Sequence, residues 1–84
     1  MIKIKIKFRK LGRERAYGQA HSDGLIEVDP RQGQKKLLDT LIHELLHILE
    51  PDWSERKVAK TATTLTNYIW VARFRRIESG LEKR

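Results

Sequence analysis

Residues 34–55 read QKKLLDTLIHELLHILEPDWSE, and the spacing of their apolar members decides the fold. Leu37, Leu38, Leu41, Ile42, Leu45, Leu46, Ile48 and Leu49 recur with the period of an α-helix. Pro51 lacks the amide hydrogen that would continue the ladder and stops it. Leucine nearly encircles this helix, which predicts a central position in the molecule. A second helix is expected to start near Asp52 to Ser54 and to carry Val58, Ala62, Leu65, Ile69 and Ala72 on one stripe, with Trp70 and Phe74 beside it. From Arg73 to Arg84 the chain grows polar, and this tail is expected to fray.

Upstream, Ile2, Ile4, Ile6 and Phe8 alternate with Lys3, Lys5, Lys7 and Arg9. A period of two predicts a half-buried strand with a basic outer face. After a turn near Leu11-Gly12, a second strand is expected within Arg13 to His21. Ser22-Asp23-Gly24 supplies the tolerance of positive φ that a hairpin turn needs before a third strand, Leu25 to Asp29. Pro30 and Gly33 end the sheet. The expected architecture is α+β, a small three-stranded sheet packed on two helices. A chain of 84 residues has room for one core, since it buries only about 60% of its unfolded surface, so residues 1–84 are read as one domain. Trp53, Tyr68, Trp70 and Phe74 are expected in that core, as aromatic residues on helical stripes usually are.

Composition narrows the chemistry. With 39% hydrophobic and 35% charged residues and no apolar run near the roughly 20 residues of a membrane span, a membrane protein is not expected. The alternating N-terminus lacks the continuous apolar stretch of a secretory signal, so the expected location is cytoplasmic. A formal charge of +7 fits either a polyanionic partner or a solubilising surface, and no nucleic-acid-binding motif accompanies it. The chain has no cysteine, which excludes disulfides and thiolate metal sites and leaves imidazole and carboxylate as metal donors.

Two of the three histidines fall in His43-Glu44-Leu45-Leu46-His47, inside the strongest helical pattern. Residues four apart on a helix share a face one turn of about 5.4 Å apart, so both imidazoles can converge on one ion. Glu44, rotated by about 100° from His43, borders that ion without ligating it and stands where a general base would act on water. Among so many leucines the His43/His47 face is the polar stripe of a central helix, and such a stripe requires a partner. A catalytic zinc usually takes three protein ligands. Glu50 would place a third ligand in line on the same straight helix. Asp52 lies just after the break, and Glu55 sits in the first turn of the next helix, from which it can cross to the metal. Glu55 is the expected ligand and Asp52 the alternative, although Asp52-Trp53-Ser54-Glu55 also has the spacing of a capping box, with Ser54 as a further N-cap candidate.

With His43, Glu44 and His47 on one helix and a carboxylate on the next, the chain resembles the gluzincin branch of the zincin peptidases, and in size the minigluzincins, over residues 24 to 70. The run from Leu49 to Glu55 looks like the same junction in short phage- or prophage-type predicted metallopeptidases. The resemblance implies a zinc cofactor and hydrolysis of peptide bonds, by an endopeptidase more than an exopeptidase, through a zinc-activated water with Glu44 as general base. It also implies a peptide or protein substrate pairing in extended form with the strand before the helix, here Leu25 to Asp29. Only seven residues separate His47 from Glu55, fewer than is usual in gluzincins. The SprT-like proteases would account for the basic charge, but they use a third histidine downstream and this chain has none after His47. His21, Tyr17 and Tyr68 are the candidates for an oxyanion-stabilising group; Arg73 shares the helix face of Glu55 but lies five turns away. Two other readings compete. One is a binding module that uses Lys3, Lys5, Lys7 and Arg9 with Arg73, Arg75 and Arg76 on nucleic acid; the other is a zincin-fold interaction protein without catalysis.

Overall fold

The computed structural model describes residues 3–12 and 16–72. They form three strands, β1 (Lys5–Phe8), β2 (Gly18–Ala20) and β3 (Leu25–Val28), and two helices, α1 (Gln34–Leu49) and α2 (Glu55–Val71). The fold is α+β, as the sequence predicts. Expectations for residues 73–84, including the polar tail, Phe74 and the arginines at 73, 75 and 76, lie outside the described residues. No helix among the described residues is long and apolar enough to cross a membrane.

The sheet has the order β1-β3-β2, with β1 parallel and β2 antiparallel to β3. Gly24 makes the β2–β3 turn at φ 96°, a conformation that costs glycine little. Its amide donates to the His21 carbonyl, and Asp23 Oδ1 accepts from the Leu25 amide. Flanked on both sides, β3 holds the core: Ile26 and Val28 are fully buried and pack with Ile48, Leu37, Leu41, Leu45, Ala20 and Ile4. α1 lies over β2 and β3, and α2 lies against α1, so α1 is enclosed from two sides. The small or short side chains Ala62 and Thr66 join Val58 as the buried stripe of α2, which lets the two helices approach closely. The expected stripe member Leu65 is 42% exposed, and Tyr68, expected in the core, is 74% exposed. Thr66 takes the inward place because the stripe drifts by one position at 3.6 residues per turn.

β1 departs from the half-buried strand that its alternation predicts. Ile6 and Phe8 are 45% and 55% exposed, because α1 covers β2 and β3 but not β1. Among the described residues of the alternation, only the preceding Ile4 reaches the core cluster.

Two buried carboxylates fasten the sheet. Asp29 accepts hydrogen bonds from the Leu11 and Arg31 amides and from the Arg31 guanidinium, tying the segment after β1 to the turn before α1. Arg31 and these amides hold its acidity well below the usual carboxylate range. On the face of the sheet away from α1, Glu27 accepts from Arg9 and from His21, bridging all three strands. Arg9 foremost, then His21, lowers its pKa from 4.5 to about 2. A depressed carboxylate stabilises the fold fully above its unfolded pKa and loses that contribution as pH falls through the folded value. The urea midpoint is therefore expected to fall between about pH 5 and pH 2.5, and Glu27→Gln should make the decline shallower. An unchanged slope in the variant would refute this role.

Candidate metal centre

α1 ends at Leu49, the Trp53 amide donates to the Glu50 carbonyl within the turn, and α2 returns antiparallel. This reversal brings the start of α2 over the last turns of α1. Ser54 caps α2, its hydroxyl accepting from the Lys57 amide at 3.1 Å. The expected alternative, a capping box between Asp52 and Glu55, is thereby corrected: Glu55 is the first helical residue and Lys57 holds the third position. The Glu55 side chain crosses to α1 instead. Its Oε2 lies 2.9 Å from His43 Nε2 and its Oε1 2.8 Å from His47 Nε2. The imidazole rings stand 4.9 Å apart at 61°, as the i, i+4 spacing requires.

One donor atom from each of His43, His47 and Glu55 can be chosen so that all lie within 4.8 Å of one another. Tetrahedral zinc bonds of about 2.0–2.1 Å place ligand atoms roughly 3.3 Å apart, so a small opening of the two contacts would admit an ion. Two neutral imidazoles and one carboxylate form a donor set suited to zinc, with room for a fourth, non-protein position. Both histidines are partly buried, whereas Glu55 is 69% exposed, which leaves the cluster open to solvent on the α2 side. Neither Asp52 nor Glu50 joins it.

Glu44 lines a cleft of about 340 Å³ whose walls include Tyr17, Gly18, Thr40, His43, Ala59 and Thr63. Burial raises its pKa, a tendency opposed by His43 and His47 and reinforced by Glu55. Thus the cleft holds a carboxylate with raised proton affinity beside one of the grouped imidazoles.

β2 forms the opposite wall. A Cβ at Gly18 would stand 2.7 Å from Thr40 Cγ2 and 3.0 Å from Glu44 Cγ, so only glycine lets the strand pass this close to the helix. Gln32 fixes that approach: its side-chain amide donates to the Tyr17 and Asp29 carbonyls, and its carbonyl accepts from Thr40 Oγ1 at 2.7 Å. In sequence, Gly18 is an isolated glycine inside the second expected strand, and Gln32 and Thr40 carry no functional signal. An isolated strand glycine is the one signal that pointed here, since it often marks a close approach.

Of the oxyanion candidates, Tyr17 lines the cleft, with Lys36 Nζ 4.4 Å from its ring centroid. His21 is engaged by Glu27 on the far face of the sheet, Tyr68 is largely exposed on α2 outside the cleft lining, and Arg73 lies outside the described residues. The expectation that Leu25 to Asp29 pairs with an extended substrate is corrected by the topology. β3 is hydrogen-bonded to β1 on one edge and β2 on the other, so it has no edge to offer. β2 is the strand beside the cleft whose outer edge carries no further strand among the described residues. The Tyr17 carbonyl and the His21 amide are directed to the β3 side, and by alternation Gly18 and Ala20 direct their amides and carbonyls outward.

Comparison with known proteins gives no counterpart: no protein-family model matches the chain, and no curated protein or solved structure is significantly similar to it. The cleft geometry gives its own test. Gly18→Ala is expected to destabilise the fold by about 1–3 kcal/mol through overpacking, measured by urea unfolding. Thr40→Ser deletes the clashing methyl while keeping the hydroxyl, so in that background the penalty should shrink; equal penalties in both would show that the contact does not set the packing.

Proposed function

We propose that the chain is a small zinc-dependent metallopeptidase of the zincin type, similar to the minigluzincins, in which His43, His47 and Glu55 hold the metal and Glu44 is the general base. The observation that carries this reading is the convergence of the three donors from two antiparallel helices, with the half-buried Glu44 beside them on a cleft. Zinc, when bound, supplies Lewis acidity that polarises a peptide carbonyl and lowers the pKa of water. Glu44 accepts the proton of the attacking water and returns it to the leaving amine.

The Gly18 and Ala20 edge of β2 pairs with an extended peptide and holds the scissile bond along the cleft, with main-chain hydrogen bonds supplying affinity whatever the substrate sequence. Pairing along an open strand edge needs no free chain end, which fits an endopeptidase. Tyr17, on the cleft lining, donates to the developing oxyanion in this reading. With so little wall beyond β2 and α2, selectivity for side chains is expected to be low.

The purified protein should take up about one zinc per chain, read by elemental analysis, with a raised melting temperature on zinc addition. His43→Ala and Glu55→Gln should each weaken uptake. Glu44→Gln should keep the metal and lower cleavage of an unstructured protein substrate by at least about a hundredfold. Failure to take up zinc would overturn the reading, as would full activity in Glu44→Gln.

A further inference from the structure

We propose that β1 is a docking edge for an extended, acidic segment of a partner protein, which adds to the sheet as a fourth strand. The inference is independent of the candidate metal centre, whose donors come from α1 and α2, neither of which contacts β1. β1 is paired on one side only among the described residues. The Lys5 amide donates to the Gly24 carbonyl and the Arg9 amide to the Val28 carbonyl, so odd-numbered residues direct their main chain toward β3. By alternation Ile6 and Phe8 direct theirs outward, as a template for strand addition.

The side chains specify what the added strand must carry. Ile6 and Phe8 are in register with the buried Ile26 and Val28 and so share the α1 side of the sheet. They are about half exposed, and neither α1 nor α2 covers them. Lys5 and Lys7, in register with Leu25 and Glu27, stand on the opposite side and are exposed. A shallow depression at the start of β1 is lined by Lys3, Lys5, Asp23, Gly24 and Leu25; Asp23 there already accepts from the Leu25 amide. An incoming strand that alternates apolar and acidic residues would cover Ile6 and Phe8 on one face and set carboxylates beside Lys5 and Lys7 on the other. Opposite charges across neighbouring strands are favourable and like charges are not.

That rule excludes a second copy of β1 as occupant, because its lysines would meet lysines. It also separates a protein strand from nucleic acid. Arg9, directly after the strand, is ion-paired with Glu27, and a nucleic acid would use neither the outward main-chain groups nor the alternating faces.

The test uses the full chain and a fluorescein-labelled peptide, Ser-Val-Glu-Val-Glu-Val-Glu-Ser, read by fluorescence anisotropy with and without added zinc. Saturable binding is expected, unaffected by zinc, weakened at least about tenfold by the exposed double change Lys5→Glu/Lys7→Glu, and lost when alternate peptide amides are N-methylated on the pairing edge. The N-methyl comparison uses unaltered protein, so it stands even if a variant folds poorly. Equal binding of peptides N-methylated on one edge and on the other, binding that requires zinc, stronger binding of a single-stranded oligonucleotide of equal charge, or no binding at millimolar peptide would each overturn the proposal.

Discussion

Enclosure of α1 between the sheet and α2 is the constraint from which the other features follow. A helix that must bury leucines toward two different neighbours retains only a narrow polar strip, and here that strip carries Asp39, His43 and His47 at intervals of four. Polar groups in such a place need partners. α2 provides them by running antiparallel: Glu55 meets both imidazoles, and Thr63 Oγ1 donates to Asp39. The buried Ala62 and Thr66 are small enough to permit the close helix approach that these contacts demand.

The two walls of the cleft are held by different physics. On the α2 side, lined by Ala59 and Thr63, the wall follows from a helix cap and a short reversal. On the β2 side it follows from hydrogen bonds of Gln32 and Asp29, which bind the chain before β2 to the turn before α1. Gly18 then allows the strand to descend onto Glu44. The proposed chemistry draws on both walls, since the donors come from the helices and the edge that would hold a peptide comes from the sheet.

What could be read from sequence was what depends on local periodicity. The leucine spacing of α1, the break at Pro51 and the alternation of the first strand each depend on a few neighbouring residues, and the grouping of His43 with His47 follows from one helical turn. Glu55 was within reach because the reversal between the helices is short. The order of the strands was not legible, because alternation says which face is apolar and nothing about which edge is paired. Hence β3 was assigned an edge it does not have, and the coverage of Ile6 and Phe8 was overstated. Gln32 and Gly18 were missed because their parts are played against Thr40, Glu44 and Tyr17, which are distant in sequence or lie across a turn.

The described connections also divide the chain by span. His43 and Glu55 are separated by one helical hairpin, so closing the donor cluster joins segments close in the chain and costs little loop entropy. Pairing β1 with β3 joins Lys5 to Leu25, and the overhang of β2 on α1 joins Gly18 to Glu44, each across a longer span. Local contacts of the first kind assemble quickly and non-local ones slowly. The donor cluster therefore belongs to the part of the molecule that can take shape early, and the wall that encloses Glu44 belongs to the part that closes late.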